Sequence, residues 1–328
     1  MTETQKRTFT VVITGPALAE PAMQKLAAKC RVVNIKPYTP SEEIAQILKD
    51  QEADGLIVRM GKINPQVIRA SRSLKVITKH GTGVDNIDLA AATQLKIPVM
   101  ITPYANFESV AEHSLGLMLS VSRAVCYLDR RMREGHWDKT TARGAELFEK
   151  TLGIVGYGRI GRRLGEIVKP LNMGIVAFDP LVKPEGYSTD VTFVSEFDDL
   201  LRASDYISLN CPLTPQTANL IGSRELKTMK KTAFLINTAR GGIVDERALT
   251  EALETGEIAG AGIDSFGQEP PDGIHPLAKF DNVIITPHIG GVTHESFTRM
   301  GLQAVKNVLD VLEGRSMDVS CVINHEIL

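Results

Sequence analysis

Three polar side chains with complementary chemistry stand in three loops rich in glycine or proline. Arg240 lies in Asn237-Thr-Ala-Arg-Gly-Gly242, Glu269 in Asp264-Ser-Phe-Gly-Gln-Glu-Pro-Pro271, and His288 in Thr286-Pro-His-Ile-Gly-Gly291. Each loop follows a run that reads as a β-strand, so each side chain falls at a strand's carboxyl end. Taken singly they admit plainer readings: a surface Arg in a turn, a solvated loop acid, an unremarkable His. Taken together they suit hydride transfer to a 2-keto acid, in which a hydride goes to the carbonyl carbon and a proton to its oxygen. Histidine is the natural acid/base near neutral pH. A carboxylate bonded to its other ring nitrogen would orient it and favour its protonated form. An Arg can hold the substrate carboxylate and polarise the carbonyl. The two prolines after Glu269 favour an extended backbone there.

A hydride needs a carrier, and residues 151–161, Thr-Leu-Gly-Ile-Val-Gly-Tyr-Gly-Arg-Ile-Gly, supply the pattern for one. A short apolar strand (152–155) runs into Gly156, Gly158 and Gly161, spaced G-x-G-x-x-G, and then into helical spacing over 159–169. The first glycine makes a tight turn, the second admits a pyrophosphate, and the third lets helix and strand pack closely. The helix N-terminus offers N–H groups and the positive dipole end to phosphates. A second apolar run ends at Asp179, about 18 residues beyond Gly161, close to the spacing at which an acid accepts hydrogen bonds from the adenosine ribose. The same acid repels a 2′-phosphate, so NAD is the expected cofactor. The competing reading is an ordinary βαβ unit with a surface Asp.

The chain's 328 residues suit roughly two domains, and 43% hydrophobic residues supply two cores. A formal charge of −2 and a pI near 6.4 give no reason to expect nucleic acid or an anionic membrane as partner. The four cysteines, Cys30, Cys126, Cys211 and Cys321, are scattered without metal-site spacing, so no metal is expected and reduced thiols in the cytoplasm fit best. Cys211 reads as a small core residue rather than a nucleophile. The N-terminus lacks a signal-peptide core, and no apolar run approaches the ~18 residues of a membrane span.

Apolar periodicity sets out the elements that must position these groups. Strands are expected over 8–14, 31–35, 54–58, 75–78 and 97–102. Helices are expected over 20–29, from Ser41 (as cap), from Pro65 after Asn64, and over 87–94. This alternation predicts a parallel sheet with helices on both faces. Residues 109–132 carry one long helical pattern, or two helices in series, suited to a domain connector or subunit contact. Alternation then resumes, with strands over 152–155, 174–178, 206–210, 233–237, 260–263 and 283–286 and helices over 223–229 and 246–255, the latter ending at Gly256. A final amphipathic helix spans 294–314. The fold class expected is α/β: two Rossmann-like, doubly wound parallel-sheet domains, with a dinucleotide domain (105–290) inserted into a flavodoxin-like substrate domain (1–104 and 291–328). Ligands of such folds bind at the carboxyl ends of strands, here facing a cleft between the domains.

With these motifs in order, the chain resembles the D-isomer-specific 2-hydroxyacid dehydrogenase family over nearly its whole length. The matching stretches are Gly153–Gly161 with Asp179, Asn210–Thr217, Asn237–Gly242, Gly262–Pro271 and Thr286–Gly291. The resemblance implies a substrate-binding Arg240, an orienting Glu269 and an acid/base His288. It implies that Arg159 and Ile160 amides meet the pyrophosphate and Asp264 the nicotinamide amide. Further cofactor contacts are implied for Cys211, Pro212, Thr217, Thr238, Ala239, His288 and Gly290. It also implies that Gly81-Thr82-Gly83-Val-Asp85 binds the substrate carboxylate through backbone N–H groups. The helix near residues 109–112 resembles the family's dimer core, so a homodimer is expected. No regulatory ligand-binding domain is expected after residue 328.

Two further cations, Arg59 and Lys79, sit at strand ends in the first domain and read either as solvated loop residues or as ligands for a substrate's far end. In the phosphoglycerate dehydrogenase branch basic residues at matching places play the second role, although His80 is a less usual neighbour. A small, polar, preferably dianionic 2-hydroxy acid is therefore expected, phosphoglycerate first and hydroxypyruvate/glycerate second. Glyoxylate and D-lactate types are the alternatives. A nucleotide-sensing binding protein on the same fold and a formate dehydrogenase are the competing classes. Retention of Arg240, Glu269 and His288 argues against the first, and the short N-terminal region against the second.

Overall fold

The computed structural model describes residues 8–182 and 190–328. They form two compact units, one running through Asn106 together with Val292–Leu328 and the other comprising Phe107–Gly291.

The first unit alternates β1 (Phe9–Thr14), α1 (Glu20–Ala27), β2 (Cys30–Ile35), α2 (Ser41–Asp50), β3 (Gly55–Val58), α3 (Pro65–Ala70), β4 (Val76–Lys79), α4 (Leu89–Gln94) and β5 (Val99–Met100). The strands pair in parallel in the order β2-β1-β3-β4-β5, the flavodoxin-like winding. Strand β3, Gly-Leu-Ile-Val, is buried throughout, as a parallel strand covered on both faces must be. One face packs on Ile44, Leu48, Val67 and Ile68 of α2 and α3. The other packs on Leu26 of α1 and on Val305, Val308 and Leu312 of the last helix.

The second unit opens with α5 (Phe107–Ser122) and α6 (Val125–Arg133), which meet at Ala124, a residue with left-handed φ of 51°. The long helical pattern is thus two helices in series. Then follow β6 (Thr151–Val155), α7 (Arg159–Val168), β7 (Gly174–Phe178), β8 (Val191–Phe193), α8 (Phe197–Ala203), β9 (Tyr206–Leu209), α9 (Ser223–Thr228), β10 (Phe234–Asn237), α10 (Glu246–Thr255), β11 (Gly260–Ile263) and β12 (Val283–Ile285). Their parallel order, β12-β11-β10-β9-β6-β7-β8, is the dinucleotide-fold winding with one added strand. The winding reverses between β6 and β9, which is where the glycine turn and the Asn210–Cys211 corner lie. Finally α11 (His294–Leu312) packs its apolar face within the first unit.

Two local readings change. Ser41 does not cap α2: Pro40 holds the cap position, and the Ser41 hydroxyl donates to Lys62 O at 2.8 Å. Strand β5 is two residues long rather than six, its neighbours turning into loops that meet the C-terminal segment. By contrast Asn64 caps α3 as its Asn-Pro pair suggests, its Oδ1 accepting from Val67 N at 3.0 Å.

Candidate active site

The candidate groups of the second unit sit in loops leaving the carboxyl ends of its strands or in the first turn of α7. After β6, Gly156 adopts φ of 89°, which only glycine takes freely, and its N–H donates to Phe178 O at 2.9 Å. A Cβ there would lie 2.8 Å from Cys211 N. Gly161 packs directly on the Gly156 carbonyl, leaving no room for a side chain. Gly158 is the N-cap of α7 and has open space where a side chain would be, so the first turn carrying Arg159 and Ile160 can be approached closely. After β7, Asp179 is pinned beside this turn: Oδ2 accepts from Tyr157 N at 2.8 Å and Oδ1 from Leu181 N at 2.9 Å. Each oxygen keeps a lone pair for a ribose hydroxyl. A glycine cradle beside a fixed carboxylate fits a dinucleotide.

The loop after β9 closes on itself, with Thr217 Oγ1 donating to Pro212 O at 2.6 Å and accepting from Thr214 N at 2.8 Å. Burial pushes the Cys211 thiol up to about 11, which removes it as a nucleophile at neutral pH. After β10, buried Asn237 donates from Nδ2 to Arg240 O at 2.9 Å and accepts from Ala239 N at 3.1 Å. Thr238 shares a 2.8 Å hydroxyl contact with Ser114 of α5, and Arg240 Nη1 donates to Ala239 O at 2.7 Å.

Asp264, after β11, is 1% exposed and organises the His288 loop. Its Oδ1 accepts from Thr286 Oγ1 at 2.6 Å and Ile289 N at 2.9 Å, and its Oδ2 from Gly290 N at 2.8 Å. His113 of α5 reaches Thr286 Oγ1 at 3.1 Å and Asp264 Oδ1 at 3.4 Å. Burial alone would raise the Asp264 pKa, but these donors outweigh it and hold the carboxylate below its usual range.

His288 carries a left-handed φ of 53°, uncommon outside glycine, and its N–H donates to Asp264 O at 2.9 Å. Its Nδ1 lies 2.7 Å from Glu269 Oε2, while Glu269 Oε1 accepts from Phe266 N at 2.9 Å. Burial would raise the Glu269 pKa, yet hydrogen bonds from His288 and Phe266 and the charges of His288 and Arg240 bring it down. The carboxylate is therefore ionised at neutral pH. Nδ1 then carries a proton toward it, and Nε2 is the ring atom left to exchange one.

In the first unit Arg59 and Lys79 stand at the ends of neighbouring β3 and β4. Arg59 stacks 4.8 Å from the Phe297 ring centroid, and its Nη1 donates to Pro16 O at 2.5 Å and Ala17 O at 3.0 Å. Lys79 Nζ donates to Arg59 O at 3.3 Å and Asn86 Oδ1 at 3.2 Å. His80, 9% exposed, packs against Phe297, and burial together with Arg59 lowers its pKa to about 4, so it adds no charge. Gly81 N–H is already given to Thr102 Oγ1 at 3.0 Å. Among the described residues nothing accepts from the N–H of Thr82 or Gly83, which leaves both as backbone anion donors.

A family model for the D-isomer specific 2-hydroxyacid dehydrogenase, NAD binding domain, matches residues 115–290. A hydroxypyruvate reductase of Thermotoga maritima is 39% identical over 90% of this chain and 96% of its own. The chain belongs to the D-isomer specific 2-hydroxyacid dehydrogenase family. Residues 115–290 are its NAD binding domain. A D-3-phosphoglycerate dehydrogenase of Methanocaldococcus jannaschii is 40% identical over 93% of this chain, but this chain covers only 57% of that protein. The chain spans about half the length of several such curated relatives. The crystal structure of a glyoxylate reductase from Paecilomyes thermophila superposes with a TM-score of 0.87 at 28% identity, covering 98% of this chain and 100% of that one. No helix among the described residues of this family member is long and apolar enough to cross a membrane.

Sequence reasoning gave no role to His113 or Thr286. His113 lies 173 residues from Thr286 along the chain, on a helix whose pattern reads as packing. Thr286 stood inside a quoted motif, but no offset marks its bond to Asp264.

Proposed function

We propose that this chain is an NAD-dependent oxidoreductase that interconverts a small, polar D-2-hydroxy acid and its 2-keto acid. The observation that carries this reading is the 2.7 Å pair of His288 Nδ1 and Glu269 Oε2 beside the Arg240 loop, at the strand ends of an NAD binding domain. When bound, the nicotinamide supplies or accepts the hydride. His288 Nε2 gives a proton to the carbonyl oxygen in reduction and removes it in oxidation. Ionised Glu269 orients the ring and stabilises its charged form. Arg240 carries the charge that pairs with the substrate carboxylate, and in the first unit Thr82 and Gly83 offer backbone N–H groups to an anion. Asp264 and Gly290 hold the nicotinamide side of the site.

Arg59 and Lys79 support a second anionic or polar group on the substrate, with phosphoglycerate first and hydroxypyruvate/glycerate next. The relatives named for phosphoglycerate, hydroxypyruvate and glyoxylate frame the same choice. Arg59 is pre-organised by Phe297 and two carbonyls, so it can bind an anion with little loss of side-chain freedom. Arg59→Ala should weaken kcat/KM for a charged keto acid by about 1–3 kcal/mol, the scale of one charged hydrogen bond, and spare an uncharged one. Equal losses across a panel of 2-keto acids, or pyruvate outperforming every acid with a second polar group, would remove this substrate assignment.

The protein acts as a homodimer in this reading. Leu119, Val125 and Met132 of α5 and α6, and Trp137 and Phe148 between α6 and β6, expose large apolar side chains, with Trp137 73% exposed. A second copy would cover them. Sedimentation should give twice the 35.8 kDa chain mass, and Trp137, the single tryptophan, should shift its emission on dilution. A 35.8 kDa species with unchanged emission at working concentration contradicts the dimer.

A further inference from the structure

Glu246 opens α10, and Asp245 already caps that helix by accepting from Arg247 N and Ala248 N. The Glu246 carboxylate is thus not needed as a cap and faces the Glu269 loop instead. Its Oε1 accepts from Gly267 N at 2.7 Å, and its Oε2 meets His275 Nε2 at 3.1 Å. His275 Nδ1 accepts from Leu277 N at 3.3 Å, so the neutral ring carries its proton on Nε2 and donates it to Glu246. The same ring packs on Phe266, centroids 4.7 Å apart. Phe266 N in turn holds Glu269 Oε1 at 2.9 Å. Gly241, next to Arg240, presses on the Phe266–Gly267 peptide so closely that no Cβ fits. Phe266 is therefore held through both its peptides: Glu269 accepts from its own N–H, while the following Phe266–Gly267 peptide is fixed by the Glu246 carboxylate and the Arg240 loop.

We propose that Glu246, with His275, is the positioning residue that holds the Phe266–Gly267 peptide and so keeps Glu269 against His288. This rests on the reading of His288 as the proton-transfer group. The charged and titratable groups around His288 are Glu269, Arg240, and Asp264 with its partner His113. Those around Glu246 are His275, Arg247 and Glu251. Glu246 bonds to the loop directly at Gly267 N, and His275 backs it by bonding its other oxygen and packing on Phe266. Releasing that loop lets Glu269 drift, and a distant carboxylate favours the protonated imidazole less.

The test is Glu246→Ala, read in two ways. Keto-acid reduction needs protonated His288, so the upper limb of the kcat–pH profile should move about one unit to lower pH, equivalent to tenfold in proton affinity. At neutral pH kcat should fall about tenfold, with recovery toward wild type on acidification and KM nearly unchanged. The His288 proton NMR titration, identified by its loss in His288→Ala, should move the same way without cofactor. Glu246→Gln keeps an acceptor for Gly267 N but turns an amide toward His275 N–H, and should shift both readouts less. In a Glu269→Gln background Glu246→Ala should add no further shift. A profile merely scaled down with an unmoved limb and an unmoved His288 titration, in either single variant, overturns the inference and leaves the His288 reading intact. Normal turnover by His288→Ala overturns that reading instead.

Discussion

His288→Ala should lower kcat for keto-acid reduction by about 100-fold or more, the range of general acid catalysis, with NADH binding preserved. The effect follows from geometry. Glu269 occupies Nδ1 at 2.7 Å, and among the described residues nothing bonds Nε2, which is left for proton transfer. The left-handed φ of 53° complicates an Ala substitution, because that conformation disfavours a Cβ. His288→Asn answers this: Asn tolerates left-handed backbone, has no comparable acid, and should lose as much activity. A variant with near-native kcat at neutral pH would remove His288 from the mechanism.

The second large effect concerns cofactor choice. Wild-type protein should prefer NADH to NADPH by roughly 30–150-fold in kcat/KM, from about 2–3 kcal/mol of repulsion between a 2′-phosphate and a fixed carboxylate. Asp179 cannot swing aside, because Tyr157 N and Leu181 N hold one oxygen each at 2.8 and 2.9 Å. Pro180, Leu181 and Val182 follow it and offer no cation. Asp179→Ser should narrow the ratio mainly by improving NADPH. Comparable kcat/KM for the two cofactors in the wild type would contradict the role given to Asp179.

The parallel α/β architecture was legible because its signals are local. Strands such as β3 and β10 are unbroken apolar runs, and the glycine turn combines fixed offsets with a strand before it and a helix after it. The candidate site was legible in part for the same reason, since Arg240, Glu269 and His288 each stand in a contiguous motif. What escaped is non-local. Nothing in the sequence links Glu246 to Gly267, or His113 to Thr286, because those bonds join separate elements across the folded unit. Short elements escaped as well: β8 has three residues and α8 seven, too few for periodicity to separate them from loops. Ser41 shows a local rule losing to context, since its hydroxyl finds the Lys62 carbonyl and leaves the cap to Pro40. Gly81 shows the same in the first unit, where Thr102 takes an N–H that a motif alone would assign to ligand.

In the proposed mechanism ionised Glu269 holds His288 as the proton donor. The direct measurement is the pH dependence of kcat for keto-acid reduction in the wild type and in Glu269→Gln. Reduction draws on the protonated ring, so activity should be present at low pH and lost as pH rises. Replacing the carboxylate by a neutral amide removes the charge that favours the protonated form. The upper limb should therefore move to lower pH, with the low-pH plateau less affected. A limb that stays in place, or that moves to higher pH, would contradict the pairing on which the mechanism stands.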